Sequence, residues 1–349
     1  MHQGIDAGDP SRITGVSRWL RLTLQYAMGL VLLALFFRQV DASQLGAHVA
    51  RLDTSILLIA LLAYCADFLL RAVRFWLLLM ATGGRAVPWK AVPGPFIASF
   101  GFSDILPFRA GDLFRLFWFQ RQLRLPGGRV LGAMVIERCL DLASLLLLGV
   151  LTVVTFLPVR QAGLVIGLVL LGGVVLHLAL RAIPFSERDL GQPSPRPGWR
   201  GRIIDPVMDA LGSFRILRSW HLSLGLVALS LLCWILESCV LIGAWIGLGG
   251  DAGDWVKPLA GFVASTLATL VPSLPGHFGT FELLGMEMFH YLDVTPDFAA
   301  AVLLVGHMLL WAPTALFAAV WFVTARPDRG SGQAAEQAES LLPQGRAMR

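Results

Sequence analysis

Ionisable side chains sit where the chain is otherwise apolar, and their spacing is regular. Asp67, Arg71 and Arg74 fall at i, i+4 and i+7, which puts all three on one face of a helix. Glu137 and Asp141 share a second helical face, with Arg138 one step round it, and Glu237 stands alone in a third apolar stretch. A Pro- and Gly-broken stretch adds Asp104, Arg109, Asp112 and Arg115. Charges at membrane depth cost several kcal/mol and by default mark function. Five of these eleven groups are arginines, whose planar guanidinium suits bidentate contact with phosphate. Taken singly, Asp67–Arg71 and Glu137–Arg138–Asp141 also read as ion pairs that glue helices, and Arg74 and Arg115 as side chains that snorkel to the headgroup layer. Taken together, eleven groups exceed what gluing requires. They suit an arginine-lined pocket for an anionic or zwitterionic lipid headgroup, with carboxylates to balance the empty site.

The elements that carry them are membrane elements. Hydrophobic residues make up 56% of the 349 and charged residues only 15%, against about 25% in a soluble domain. A water-facing soluble enzyme is thereby excluded. The net charge of +5 does not read as a nucleic-acid surface, because the basic residues sort by side. Six stretches approach the roughly 20 apolar residues a bilayer crossing needs: 19–37, 54–80, 130–156, 163–180, 222–247 and 298–324. The first is too long for a signal-peptide core and reads as a retained anchor.

Two more stretches, 91–122 and 256–291, are apolar but interrupted, at Leu106 to Gly111 and at Val271 to Gly279. Their arms are too short to cross and match re-entrant half-helices, whose tips must lie inside protein or line a wet cavity. With both termini cytoplasmic, 21 Lys and Arg fall on cytoplasmic stretches and four on external ones. The first hairpin then enters from the cytoplasm and the second from outside. Both tips carry Pro-x-x-x-Gly followed by a carboxylate: Pro107, Gly111 and Asp112 in one, Pro275, Gly279 and Glu282 in the other, with Pro272, Gly276 and His277 completing the second tip. This predicts an all-α polytopic fold of six crossings and two opposed hairpins, an inverted repeat with its substrate site at the midplane.

The rest of the chain frames that domain. Residues 1–18 read as a cytoplasmic segment, 19–325 as one membrane domain and 326–349 as a disordered tail. Within 181–221 a Pro-rich linker leads into an amphipathic stretch, with Met208, Leu211, Phe214 and Leu217 on one face, expected to lie on anionic lipid. The four cysteines fall inside spans and read as packing residues. His277 could titrate or bind substrate, whereas His177, His290 and His307 lack ligand-spaced partners. No metal cluster, P-loop or dinucleotide fingerprint occurs, so no cofactor is expected. Glu137-x-x-x-Asp141 is a weak match to a metal–diphosphate motif of prenyltransferases.

Four ordered motifs carry a resemblance: Arg71-x-x-Arg74-Phe-Trp; Leu106-Pro107 through Arg109-Ala-Gly111-Asp112-x-x-Arg115; Glu137-Arg138-x-x-Asp141; and Pro272-x-x-Pro275-Gly276-x-x-Gly279-x-x-Glu282. Over roughly residues 20–325 the chain resembles the lysylphosphatidylglycerol synthase transmembrane-region family, also called flippase-like membrane proteins. The resemblance implies a bacterial or archaeal cytoplasmic membrane and lipid translocation or lipid-linked glycan handling. Asp112 stands where the family usually has Glu, and His277 where a second Gly is common. Only about 25 residues follow the last span, so lysyl transfer is not expected. The reading is a lipid transporter that moves a headgroup between leaflets, with no catalytic residues. Two alternatives stand beside it: a membrane transferase using Glu137, Asp141 and Asp112 on a divalent cation, and an accessory partner of a glycosyltransferase or lipid-synthesis enzyme. A homo-oligomer is compatible with all three, and no nucleic-acid partner is expected.

Overall fold

The computed structural model describes residues 23, 26–82, 86–182, 208–270 and 274–325. Every regular element among them is helical. The 181–200 linker beyond residue 182, the 326–349 tail and Pro272 lie outside the described residues. Helix α1 (Tyr26–Phe37) meets α2 (Ala42–Val49) at 83°, so the first expected crossing, 19–37, ends in a sharp bend into a second short helix. The bend sits where apolar sequence gives way to Arg38-Gln39-Val40-Asp41. There Asp41 caps α2 by accepting from the Ser43 N–H at 2.8 Å. Asp53 likewise caps α3 (Thr54–Ala81) through the Ser55 N–H at 2.9 Å.

α4 (Pro93–Ile105) and α5 (Ala110–Gln122) follow, then α6 (Gly127–Thr155), α7 (Val159–Ala182), α8 (Trp220–Gly247), α9 (Val256–Ala268), α10 (Thr280–Tyr291) and α11 (Pro296–Thr324). By length and composition α3, α8 and α11 are able to cross a membrane, or four spans if the bent pair counts as one. The other two expected crossings fall in α6, which carries Arg129, Glu137, Arg138 and Asp141, and in α7, whose apolar part is the shorter stretch Val159–Val175. The expected interfacial helix is described from Met208; it tightens into a 3-10 turn at Ser213–Arg218. That change of pitch turns Ser213, Ile216 and Leu217 inward, and Gly132 of α6 packs directly on Ser213.

α11 is the spine. Near its C-terminal end Trp321 meets Gly94 at the start of α4, and further in the Thr314 carbonyl abuts Gly101 of the same helix. From the opposite end Phe298 meets Trp245 edge to face, Leu303 packs on Gly285 of α10, and His307 bonds the turn before α10. Glycine at 101 and 285 lets these backbones approach closely. Each arm of the two broken stretches has 12 or 13 residues, about 20 Å at 1.5 Å per residue, well short of a 30 Å hydrocarbon core.

The apolar core is divided. One cluster gathers Phe36, Trp245, Phe262, Phe289 and Ala299 to Leu303; the other gathers Phe75, Leu78, Phe96, Phe119, Val130 and Leu226. Buried charged residues interrupt the same helices, Asp67, Arg71 and Arg74 on α3 and Glu137 and Asp141 on α6. Large apolar side chains such as Leu58, Ile59 and Leu62 on α3 and Leu164 and Leu168 on α7 face outward, more than half exposed. That is the surface of a chain surrounded by hydrocarbon.

Candidate functional site

Two charged networks and two helix breaks converge on one cavity. In the first network Asp67 lies one turn before Arg71, so the Arg71 Nε donates to both its carboxylate oxygens at 2.8 Å. Across the helix interface Arg71 also pairs with Glu237 of α8 and reaches Asp141 of α6 at 3.6 Å. Arg74, wholly buried, stands 2.7 Å from the same Asp141 oxygen and donates to the Ser230 hydroxyl of α8 at 2.8 Å. Trp234 closes the network: its indole N–H donates to Asp141 at 3.2 Å, and the Arg71 guanidinium lies over its ring at 4.7 Å.

The second network joins α5 to α6. Arg115 donates to Glu137 at 3.0 Å, both side chains fully buried, and lies 3.4 Å from Asp112. Its guanidinium sits 5.0–5.5 Å from the ring centres of Phe75, Phe96 and Phe100. Arg138 donates to Asp112 at 2.9 Å, with its side chain 43% exposed.

The breaks have local causes. Leu106 is extended, as the residue before a proline must be, and Arg109 takes a left-handed conformation (φ 50°) that turns the chain into α5. Gly111, in the first turn of α5, lies against the Ser99 carbonyl and Ser103, so a side chain there would force the two arms apart. In the second break Gly276, His277 and Gly279 all have positive φ (73°, 62° and 92°). The shared Pro-x-x-x-Gly therefore packs differently in the two breaks: Gly111 permits close approach of the neighbouring arm, whereas Gly279 combines a positive φ with close approach of the Gly29 carbonyl of α1. The following acids differ as well. Asp112 faces arginines, whereas Glu282 accepts from the Gly279 N–H at 2.7 Å and caps its own helix.

The tips touch. Arg109 at the first break donates to the Thr269 carbonyl at the end of α9, 3.1 Å away. Asp104 accepts from the Thr314 hydroxyl at 2.7 Å, and Trp311 donates to the Asp104 carbonyl at 3.3 Å. His307 bridges the second tip, with Nε2 2.8 Å from the Gly276 carbonyl and Nδ1 2.5 Å from Glu282. Its ring is stacked between Phe278 and Phe281 at 4.6 and 4.3 Å.

Between these groups lies a cavity of about 450 Å³. Of the residues singled out from sequence, Arg71, Asp104, Arg109, Asp112, Arg138, Asp141, Glu237, Gly276 and His277 line it. Asp67, Arg74, Arg115, Glu137 and Glu282 are not on its wall; all five are buried against partners behind it. Pro107, Gly111, Pro275 and Gly279 shape the two breaks without lining it. Sequence reasoning passed over His307, Trp234, Trp311, Thr314 and Tyr64, which complete the wall or hold it. His307 was legible by one rule already applied to the acids: it is an ionisable group in the middle of an apolar helix.

The carboxylates that a metal-dependent transferase would gather point at cations. Glu137 faces Arg115, Asp141 faces Arg71 and Arg74, and Asp112 faces Arg138. Among the described residues no group of three or more His, Cys, Asp or Glu is arranged to hold a metal ion.

Comparison with the curated proteins gives no match. The family model described as the lysylphosphatidylglycerol synthase TM region matches residues 22–318, most of the chain and every network above. The chain belongs to that family, and is a multi-pass membrane protein of a kind related to lipid metabolism.

Proposed function

We propose that the protein binds a phosphate-bearing lipid headgroup in the cavity between the two breaks and moves it from one leaflet to the other while the hydrocarbon chains stay in the bilayer. The observation that carries this reading is the placement of Arg109 and Arg138 on the wall of a 450 Å³ cavity inside an apolar helical bundle. That volume lies in the range of small-molecule sites and suits a headgroup without its tails. Neither guanidinium is saturated: Arg109 is held by one carbonyl, and Arg138 shares Asp112 with Arg115.

In this reading the two broken stretches are re-entrant hairpins that enter from opposite leaflets. The contacts along α11 support it, because α4 runs in from one end and α10 from the other, and they meet between His307 and Thr314. The asymmetry of 21 to four basic residues puts both termini, and the mouth of the first hairpin, on the cytoplasmic side of a prokaryotic inner membrane. α6 and α7 then complete six crossings with α3, α8, α11 and the bent α1–α2 pair.

Reconstitution in proteoliposomes with fluorescent phospholipids tests it. Wild-type protein should accelerate leaflet exchange, and Arg109→Gln with Arg138→Gln should abolish it while the protein still purifies as a folded, monodisperse species. Exchange that persists in the double variant would remove the pocket from the mechanism.

A further inference from the structure

His307 faces two groups that only accept. Its Nε2 is 2.8 Å from the Gly276 carbonyl oxygen, and its Nδ1 is 2.5 Å from the Glu282 carboxylate. A carbonyl accepts, so Nε2 carries a hydrogen. The Nδ1–Glu282 contact then needs a second proton, on the imidazole or on the carboxyl. A neutral imidazole facing an ionised carboxylate has one N–H for two acceptors, and whichever tautomer it adopts, one of the two contacts becomes lone pair against lone pair. The pair is therefore complete with one added proton and incomplete without it.

Both contacts hold the same piece of chain. The Gly276 carbonyl belongs to the strained turn of the second tip, where three of four consecutive positions, Gly276, His277 and Gly279, have positive φ. Glu282 caps the helix that starts there by accepting from the Gly279 N–H. His307 is anchored on α11 and stacked between Phe278 and Phe281 of the tip itself. Losing either contact frees the tip from the spine on one side. We propose that His307 and Glu282 form a single-proton binding site that latches the second tip against α11, closed when the proton is bound and released when it leaves. This rests on the transport reading for its consequence: release of the tip would open the wall of the cavity, and the proton would be the coupled ion.

Other ionisable groups line the cavity that His307 also lines: Asp104 from α4, Arg109 and His277 from the two tips, Asp112 from α5, Tyr64 and Arg71 from α3, Arg138 and Asp141 from α6, and Glu237 of α8. None of them bonds His307; Asp104 is taken by Thr314, Tyr64 by the Leu310 carbonyl and Arg109 by the Thr269 carbonyl. They can shift the pH at which the proton leaves without changing the number of acceptors that His307 must satisfy.

Hydrogen exchange of the full-length protein in lipid nanodiscs, read on peptides covering 274–282, tests the latch without any lipid substrate. Protection factors, corrected for intrinsic exchange, should fall by about tenfold or more when the pH is raised from about 5 to about 9, if the single proton leaves within that interval. Glu282→Gln should remove that dependence, because a carboxamide N–H can donate to Nδ1 of the neutral imidazole while its carbonyl still serves the Gly279 N–H. Asp104→Asn should retain it. A wild-type tip equally protected across the range, or a pH response unchanged in Glu282→Gln or lost in Asp104→Asn, would overturn the proposal. If Glu282→Gln fails to fold, the wild-type profile and Asp104→Asn still decide. Leaflet exchange is measured separately. Transport with a pH-insensitive tip would sink the latch alone, and a working latch without transport would sink the transport reading alone.

Discussion

Arg115 and Arg138 both face the acids of α5 and α6, yet removing them should cost very different amounts of stability. The Arg115–Glu137 pair is fully buried at 3.0 Å, inside a cage of three phenylalanines. Arg115→Met keeps the bulk but strands the Glu137 carboxylate with no counter-charge in contact, a loss of about 3–5 kcal/mol. Arg138 is 43% exposed, and its partner Asp112 29%, so Arg138→Met should cost only about 0–1 kcal/mol. At roughly 2–4 °C per kcal/mol the first variant should melt on the order of 10 °C below wild type and the second within about 4 °C of it. The double variant Arg115→Met/Glu137→Leu removes both charges and should recover most of the loss, since a well-packed apolar pair commonly replaces a buried ion pair at little net cost. Thermal loss of the monodisperse species in detergent reads all three. If Arg115→Met melts no lower than Arg138→Met, or if the double variant is no better than the single, Arg115 is not a scaffold residue and the division between wall and support fails.

Two further substitutions probe the breaks. Gly111→Ala places a methyl against the Ser99 carbonyl and Ser103, so it should push α4 from α5 and cost about 1–3 kcal/mol, seen as a lower melting temperature. Thr314→Val removes the hydroxyl that Asp104 accepts from, leaving that carboxylate without its protein donor; a loss of about 1–3 kcal/mol is expected in the same assay, and an unchanged melt would show that water or lipid already serves Asp104.

How far the site could be read from sequence depended on range. Asp67, Arg71 and Arg74 were grouped because a helix places i, i+4 and i+7 on one face, and the Asp67–Arg71 contact is local. Their other partners lie on distant helices, Asp141 on α6 and Glu237 and Ser230 on α8, the last two 166 and 156 residues away, and no periodicity says which helix will oppose that face. For the same reason the sequence put Arg74 and Arg115 in the pocket, when the packing of α3 and α5 turns both behind its wall. The breaks were legible because proline and glycine interrupt helices for local steric reasons. What Gly111 and Gly279 each pack against was not, since Gly111 meets the neighbouring arm and Gly279, which also has a positive φ, meets the backbone of α1. The end of the first apolar stretch at Phe37 was legible, but the short helix that follows the bend was not, since only the capping carboxylate of Asp41 hints at it.

The partners of each arginine set the order in which a phosphate would engage them. Arg71 and Arg74 share Asp67, Asp141 and Glu237, so their network has three acids for two cations and little call for a further anion. Drawing Arg71 away would leave buried carboxylates uncompensated, which costs several kcal/mol per charge. Arg115 and Arg138 balance Asp112 and Glu137 one for one. Arg109 differs from both, because it bonds a neutral carbonyl of the opposite tip and, among the described residues, no acid lies within ion-pair distance of it. On the proposed reading a phosphate would therefore meet least resistance at Arg109 and next at the half-exposed Arg138, and would reach Arg71 only by exchange with Glu237. Recruiting Arg109 also removes its bond to Thr269, so the group with the strongest electrostatic claim on the ligand is the one whose present contact ties the two tips together.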